Sequence, residues 1–259
     1  AETAALSTLW IFPIAVGAGV FGSLMGLGGG ILLVPALTLF MGVPIKQAVA
    51  ASLVAGAATS CAGVSTYLQA GLVDWRLCVR LLIPTLLGAI GGGLVIGFIP
   101  EAAVRWLFIA LILYVLGQML WAMRQPPTSH AARPDCRAEW DPRQRGVAIS
   151  LSALGGMISA LLGVGGGLIQ VPLIHTILKA PLRCAIGSST FLIGATASAS
   201  ALLYLVQGKL APDIVVPASL GIVIGARIGA RFAQHVPTTA LRLLFVGVML
   251  YTVIRFALK

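Results

Sequence analysis

The sequence predicts an all-α polytopic membrane protein made of two inverted-topology repeats, each a glycine-broken helical hairpin plus three transmembrane helices. Three observations carry this. The 259 residues are 59% hydrophobic and only 9% charged, with a mean hydropathy of +1.02, whereas a soluble domain carries about 25% charged residues. The apolar runs are long and mostly uncharged, unlike the ten-residue alternation of membrane β-strands. Finally, with residue 17 laid over residue 154, residues 17–122 align with 154–259 without a gap.

The matched pairs include scarce residue types: Pro35 with Pro172, Pro44 with Pro181, Pro100 with Pro237, Tyr67 with Tyr204, Tyr114 with Tyr251 and Arg105 with Arg242. Such matches mark an internal duplication. The chain then divides into a first transmembrane repeat (1–123), a polar linker (124–146) and a second repeat (147–259). The linker, "RQPPTSHAARPDCRAEWDPRQR" over 124–145, is rich in Pro and Arg and reads as an extended loop outside the membrane. The N-terminal segment "AETAALSTLW" lacks the basic region of a signal peptide and reads as the start of the first membrane segment.

Each repeat holds three apolar stretches of ordinary length, at 47–70, 78–99 and 103–123, then 185–207, 214–233 and 239–257. Each is preceded by one that is too long. As a single helix, residues 9–43 would run about 52 Å against a hydrocarbon core of about 30 Å. The glycines of "GLGGG" (26–30) break it into two short helices of about 15 residues that enter and leave from one side. "GVGGG" (163–167) does the same to residues 147–180.

Charge agrees with this hairpin. With returning hairpins each half crosses an odd number of times and the second half is inverted. Twelve of the 17 Lys and Arg residues then lie on the linker side, and Lys46, Arg105, Lys209, Arg255 and Lys259 on the other. With four full spans per half the division is a weaker ten to seven. The positive-inside rule prefers the first arrangement, with the linker cytoplasmic. The remaining excess of basic residues is explained by this orientation, and no nucleic-acid partner is implied.

Irregular backbone at membrane depth is tolerated only where protein buries it or water reaches it. Glycine loops from two inverted halves would face each other across one central site, a transporter arrangement. Candidate substrate-binding glycines are Gly28, Gly29 and Gly30 with Gly165, Gly166 and Gly167; close helix packing is the structural alternative. A second shared element reads "PIKQAVAAS" at 44–52 and "PLRCAIGSS" at 181–189. Lys46 and Arg183 stand at helix starts, where a cation opposes the macrodipole, so each suggests a negative partner or lipid phosphate. Ser52, Ser188, Ser189 and Thr190 lie deeper and could donate to an oxyanion, or back-bond to their own helix. Gln170 replaces Leu33 and His175 replaces Thr38 in the second hairpin; Gln170 is a candidate for hydrogen bonding to substrate. Tyr67 and Tyr204 read as interfacial belt residues.

The paired G-x-G-G-G hairpins, the P-x-[K/R]-x-A segment and "GARIGARFAQHVPTTALRLLF" (225–245) resemble the TauE/SafE family of sulfite exporters over nearly the whole chain. The resemblance implies a bacterial-type inner-membrane transporter of small sulfur-containing anions such as sulfite or organosulfonates, working as an exporter. The first repeat departs from the pattern, with Ala50–Ala51 where the second has Gly187–Ser188, so a site using the small polar pair leans on the second half. An anion channel on the same fold is the alternative.

An intramembrane enzyme would need a nucleophile and base on neighbouring segments, and the sequence offers no GxSx motif with a paired His on a neighbouring segment and no HExxH. Cys61, Cys78, Cys136 and Cys184 form no CxxC pair. No metal site, disulfide framework or cofactor is expected, and Cys61 and Cys184 read as small helix-packing residues. Membrane lipid is an expected partner, and a homodimer is kept open. All seven acidic residues lie in loops, in the linker or at helix ends, which leaves no carboxylate relay within the membrane.

Overall fold

The computed structural model describes residues 2–24, 30–123, 136, 142–232 and 238–257, with side chains for most of them. Ten α-helices carry the described chain: α1 (Glu2–Leu24), α2 (Gly30–Phe40), α3 (Ile45–Gln69), α4 (Trp75–Val95), α5 (Glu101–Met123), α6 (Pro142–Leu162), α7 (Gly167–Pro172), α8 (Leu182–Val206), α9 (Pro212–Phe232) and α10 (Thr238–Ala257). A π-helical turn, Leu173–Ile177, continues α7. It follows Pro172, which has no N–H to extend the α-helical ladder. Among the described residues, six helices are long and apolar enough to span a membrane. Helices α3 and α8 start alike, because Pro44 (φ −53°, ψ 136°) and Pro181 (φ −54°, ψ 140°) set the same entry.

Glycines decide which helices touch. A Cβ on Gly88 would overlap the Ala153 carbonyl, and one on Gly156 would overlap the Thr85 carbonyl. This closeness fuses α4 to α6, and Thr85 and Ser152 hydroxyls hydrogen-bond across the seam at 2.6 Å. Helix α1 joins α9 in the same way: Gly225 has room for no Cβ beside the Val16 carbonyl, and Gly19 none beside that of Ile222. These two helix pairs are the most extensive in the fold. Their contacts correspond under the internal alignment, Gly88–Ala153 with Gly225–Val16 and Gly156–Thr85 with Gly19–Ile222.

The registers also set direction. Gly88 meets Ala153 and Gly92 meets Met157, so α4 and α6 run parallel; Gly221 meets Phe12 and Gly225 meets Val16, so α9 and α1 do too. Helices α3 and α8 run antiparallel, for Gly56 faces Ala197, Gly194 faces Ser60, and Gly63 faces Thr190. Short turns reverse the chain from α3 to α4 and from α8 to α9. It follows that α1, α3 and α9 point one way while α4, α6 and α8 point the other, and that α2 returns the chain between α1 and α3.

Three sequence readings are corrected. The hairpin arms are unequal: α1 has 23 residues and α2 has 11, while α6 has 21 and α7 six. The first arm keeps its helix because α9 or α4 covers it along its length, and only the returning arm is short. Cys184 is disulfide-bonded to Cys136, with Cα atoms 5.5 Å apart, which ties the linker to the start of α8. Tyr204 is fully buried, its hydroxyl donating to the Ala160 carbonyl at 3.0 Å, so it is a core residue.

Replacing Gly156 by Leu should force α4 and α6 apart, because the obstructing atoms are backbone. Overpacking costs about 1–3 kcal/mol, which lowers the melting temperature of the detergent-solubilised protein by about 2–4 °C per kcal/mol. Gly91, one turn from Gly88 on α4, has nothing within 4 Å of an added Cβ, and Gly91→Leu should melt like the parent. Equal melting of both variants would remove glycine contact as the basis of this pairing.

Candidate site at the glycine hairpins

The loop between α6 and α7 turns on three glycines in the left-handed region, Gly163 (φ 70°), Gly165 (φ 77°) and Gly166 (φ 62°). Side-chain-bearing residues are strained there, so these positions need glycine for the backbone alone. Gly166 is the N-cap of α7, and the Gly167 N–H closes back on the Gly165 carbonyl at 2.7 Å. Ile193 of α8 lies directly over the loop, its Cγ2 3.0 Å from where a Gly165 Cβ would be and its Cδ1 2.7 Å from that of Gly167.

The two hairpins meet at this loop. A Cβ on Gly30, the first residue of α2, would stand 2.9 Å from the Gly163 carbonyl oxygen and from Ser52 Oγ. Ser52, fully buried on α3, lies 2.5 Å from the Gly163 carbonyl and 3.2 Å from that of Gly30. Its single proton donates to Gly163, the shorter contact. The hydroxyl therefore clamps second-repeat loop to first-repeat helix and is spent on backbone.

Gln170 is different. Its side chain is fully buried, and neither Nε2 nor Oε1 has a hydrogen-bond partner. The two ends of an amide are hard to tell apart, but with both unpartnered the assignment changes nothing. Ser159, on the facing stretch of α6, is also buried with an unpartnered Oγ. Gly155 brings the two walls together: its Cβ position is 3.8 Å from Gln170 Cγ, and its carbonyl oxygen is 3.4 Å from where a Gly166 Cβ would be, a position 3.5 Å from Ser159 Oγ. A small cavity bounded by Ser159, Gly166, Ile169 and Leu111 opens beside them. Each buried polar atom without a partner costs about 1–3 kcal/mol, so this seam holds three atoms that gain from a polar guest.

The other predicted residues lie elsewhere. Lys46 and Arg183 begin two antiparallel helices and so stand at opposite ends of the molecule. Ser188 Oγ accepts the Asp74 N–H at 3.1 Å. Ser189 and Thr190 donate to the Ile186 carbonyl at 3.0 and 2.8 Å, the local back-bonding open to them from the start. His175 Nδ1 lies 2.9 Å from the Ala180 carbonyl. Gly28 and Gly29 lie outside the described residues. Lys46 shares its end with Lys209, whose pKa is lowered by burial first and by the Lys46 charge second. Sequence reasoning missed Ser159, although the signal was present: the alignment sets it opposite Gly22, as it sets Gln170 opposite Leu33. Both substitutions put polar atoms into the second hairpin alone.

A family model described as "Sulfite exporter TauE/SafE" matches residues 11–256. The probable membrane transporter protein YunE of Bacillus subtilis is 27% identical, covering 85% of this chain and 86% of its own length. A probable membrane transporter protein of Methanocaldococcus jannaschii, MJ0441, is 22% identical over 89% of this chain and 88% of its own. A third, from Xylella fastidiosa, is 28% identical over 90% and 89%. No solved structure matches. With a family match spanning nearly the whole chain and relatives of equal length, this multi-pass membrane protein belongs to the sulfite exporter TauE/SafE family.

Proposed function

We propose that this membrane transporter moves small sulfur-containing anions, such as sulfite or organosulfonates, outward across a bacterial-type inner membrane. The anion is held where the two glycine hairpins meet. The observation that carries this reading is the Gln170 amide, fully buried and unpartnered at both ends beside a loop that is open backbone. A membrane protein keeps such groups at a cost, and they serve substrate or ion. The antiparallel register of α3 and α8, and the matched glycine contacts of α1–α9 and α4–α6, support an inverted pair of repeats with the site between them. Lys46 with Lys209 at one end, and Arg183 at the other, draw anions to the two mouths by charge.

Gln170→Leu tests the site. It installs the residue of the other repeat, Leu33, and removes two unsatisfied atoms at nearly constant volume. The variant should melt at the same or a higher temperature than the parent and lose sulfite and methanesulfonate flux in proteoliposomes by at least about tenfold, the equivalent of one 1.4 kcal/mol contact. Undiminished flux would assign the amide to a buried water instead.

Export needs no carboxylate relay on this reading. Among the described acids, Asp74 caps α4 through the Leu77 N–H at 3.1 Å, and Glu101 and Asp213 sit in first turns. The membrane potential alone acts on an anion with about 2.3 kcal/mol per charge per 100 mV. Flux should persist under a potassium-diffusion potential with no pH or sodium gradient; strict dependence on either gradient with no response to voltage would overturn this.

The linker side is cytoplasmic on the charge count. Under that orientation the Cys136–Cys184 bond faces a reducing compartment. A reporter fused after Lys259, active only outside the cytoplasm, should be active. The opposite result would place the linker and its disulfide on the oxidising side.

A further inference from the structure

We infer that the seam between α6 and α7 selects a singly charged anion that also carries a hydrogen-bond donor, so that hydrogensulfite rather than the sulfite dianion is the transported form. The inference rests on the reading of this seam as the substrate site and goes further, to the protonation state of what it takes.

The argument is an inventory of what the seam offers. Gln170 supplies two N–H donors from Nε2 and one acceptor, Oε1; Ser159 supplies a hydroxyl that can do either. All are buried and unpartnered. No ion pair or hydrogen bond brings a Lys or Arg to either residue, since neither has any partner among the described groups. An anion that only accepts would satisfy Nε2 and the hydroxyl but would face Oε1 with a negative oxygen. An anion bearing its own proton donor satisfies all three atoms. Charge argues the same way. With no cation among the described partners of the seam, a second negative charge would be desolvated without compensation. Hydrogensulfite, or a sulfonate with a hydroxyl group, meets both conditions; sulfate and the sulfite dianion meet neither.

Ionisable groups of the protein must be separated from those of the ligand. The titratable side chains described on the elements packed against α7 are Arg145 on α6, His175 on the π-helical turn, and Arg183 and Tyr204 on α8. Of these, His175 is the one imidazole, and its Nδ1 lies against the Ala180 carbonyl.

The experiment uses the intact protein in proteoliposomes. Initial rates are measured at fixed total sulfite as the pH is raised through the second ionisation of sulfurous acid. Methanesulfonate, singly charged throughout, serves as the control, and sulfate and hydroxymethanesulfonate as competitors. Sulfite flux should fall several-fold in step with the hydrogensulfite fraction, while methanesulfonate flux stays level. Hydroxymethanesulfonate should compete better than methanesulfonate, and sulfate poorly. Sulfite flux that follows total sulfite, or sulfate competing as well as hydroxymethanesulfonate, would overturn the inference and leave the transport reading intact. A parallel fall in methanesulfonate flux would move the pH dependence from the ligand to the protein and also overturn it. Absence of flux for every sulfur anion at every pH would remove both readings together.

Discussion

A carbonyl left bare at membrane depth costs several kcal/mol, and the Gly163 carbonyl is where this chain meets that constraint. Ser52, reaching in from α3, donates to it, while Gly30 presses against the same oxygen with no side chain to intervene. One hydroxyl thereby joins a loop of the second repeat to a helix of the first. The loop can then afford its left-handed glycines, because the backbone it exposes is enclosed by α2, α3 and α8 rather than by lipid.

That enclosure depends on how closely the long helices pack. Lipid tails are as apolar as leucine, so helices in a membrane gain little from burying apolar surface against each other; backbone proximity through small residues does the holding. The glycines of α4 and α6, and of α1 and α9, bring backbones into contact along two parallel pairs. With these pairs closed, the short returning arms α2 and α7 are confined to the middle of the molecule.

Polar groups within this frame sort into two kinds. Thr85 bonds to Ser152, Tyr204 to the Ala160 carbonyl, and Ser188 to the Asp74 N–H, each satisfied within the fold. Ser200 and Ser219 are single hydroxyls without partners on separate helices. Among the described residues, only the seam of α6 and α7 gathers three unpartnered atoms, from Gln170 and Ser159. Lys46 and Lys209 share one end, where Lys209 is held below the usual lysine range by burial and by Lys46. A nearby anion favours the charged form of such a group. On the function proposed above, attraction and selection are separated: charge at the two ends, neutral hydrogen-bonding groups between them.

Much of this was legible in the residues. Apolar length and glycine position determined the helices at 45–69, 75–95, 101–123, 182–206, 212–232 and 238–257 to within a few residues of the expected stretches, because hydrocarbon thickness and helical rise leave little choice. The duplication is legible too, and with it the polar Gln170 opposite Leu33, since an alignment of the chain with itself exposes both. What the linear sequence could not decide was partnership. Whether Ser52 meets substrate or backbone, and whether Lys46 and Arg183 share one anion, depends on atoms more than a hundred positions apart. Cys184 looked like a packing residue because Cys136 is 48 residues away, and Tyr204 like a belt residue because nothing local reveals the Ala160 carbonyl above it. Local physics sets helix length and breakage; only the close approach of distant glycines determines which polar atoms are satisfied and which are left waiting.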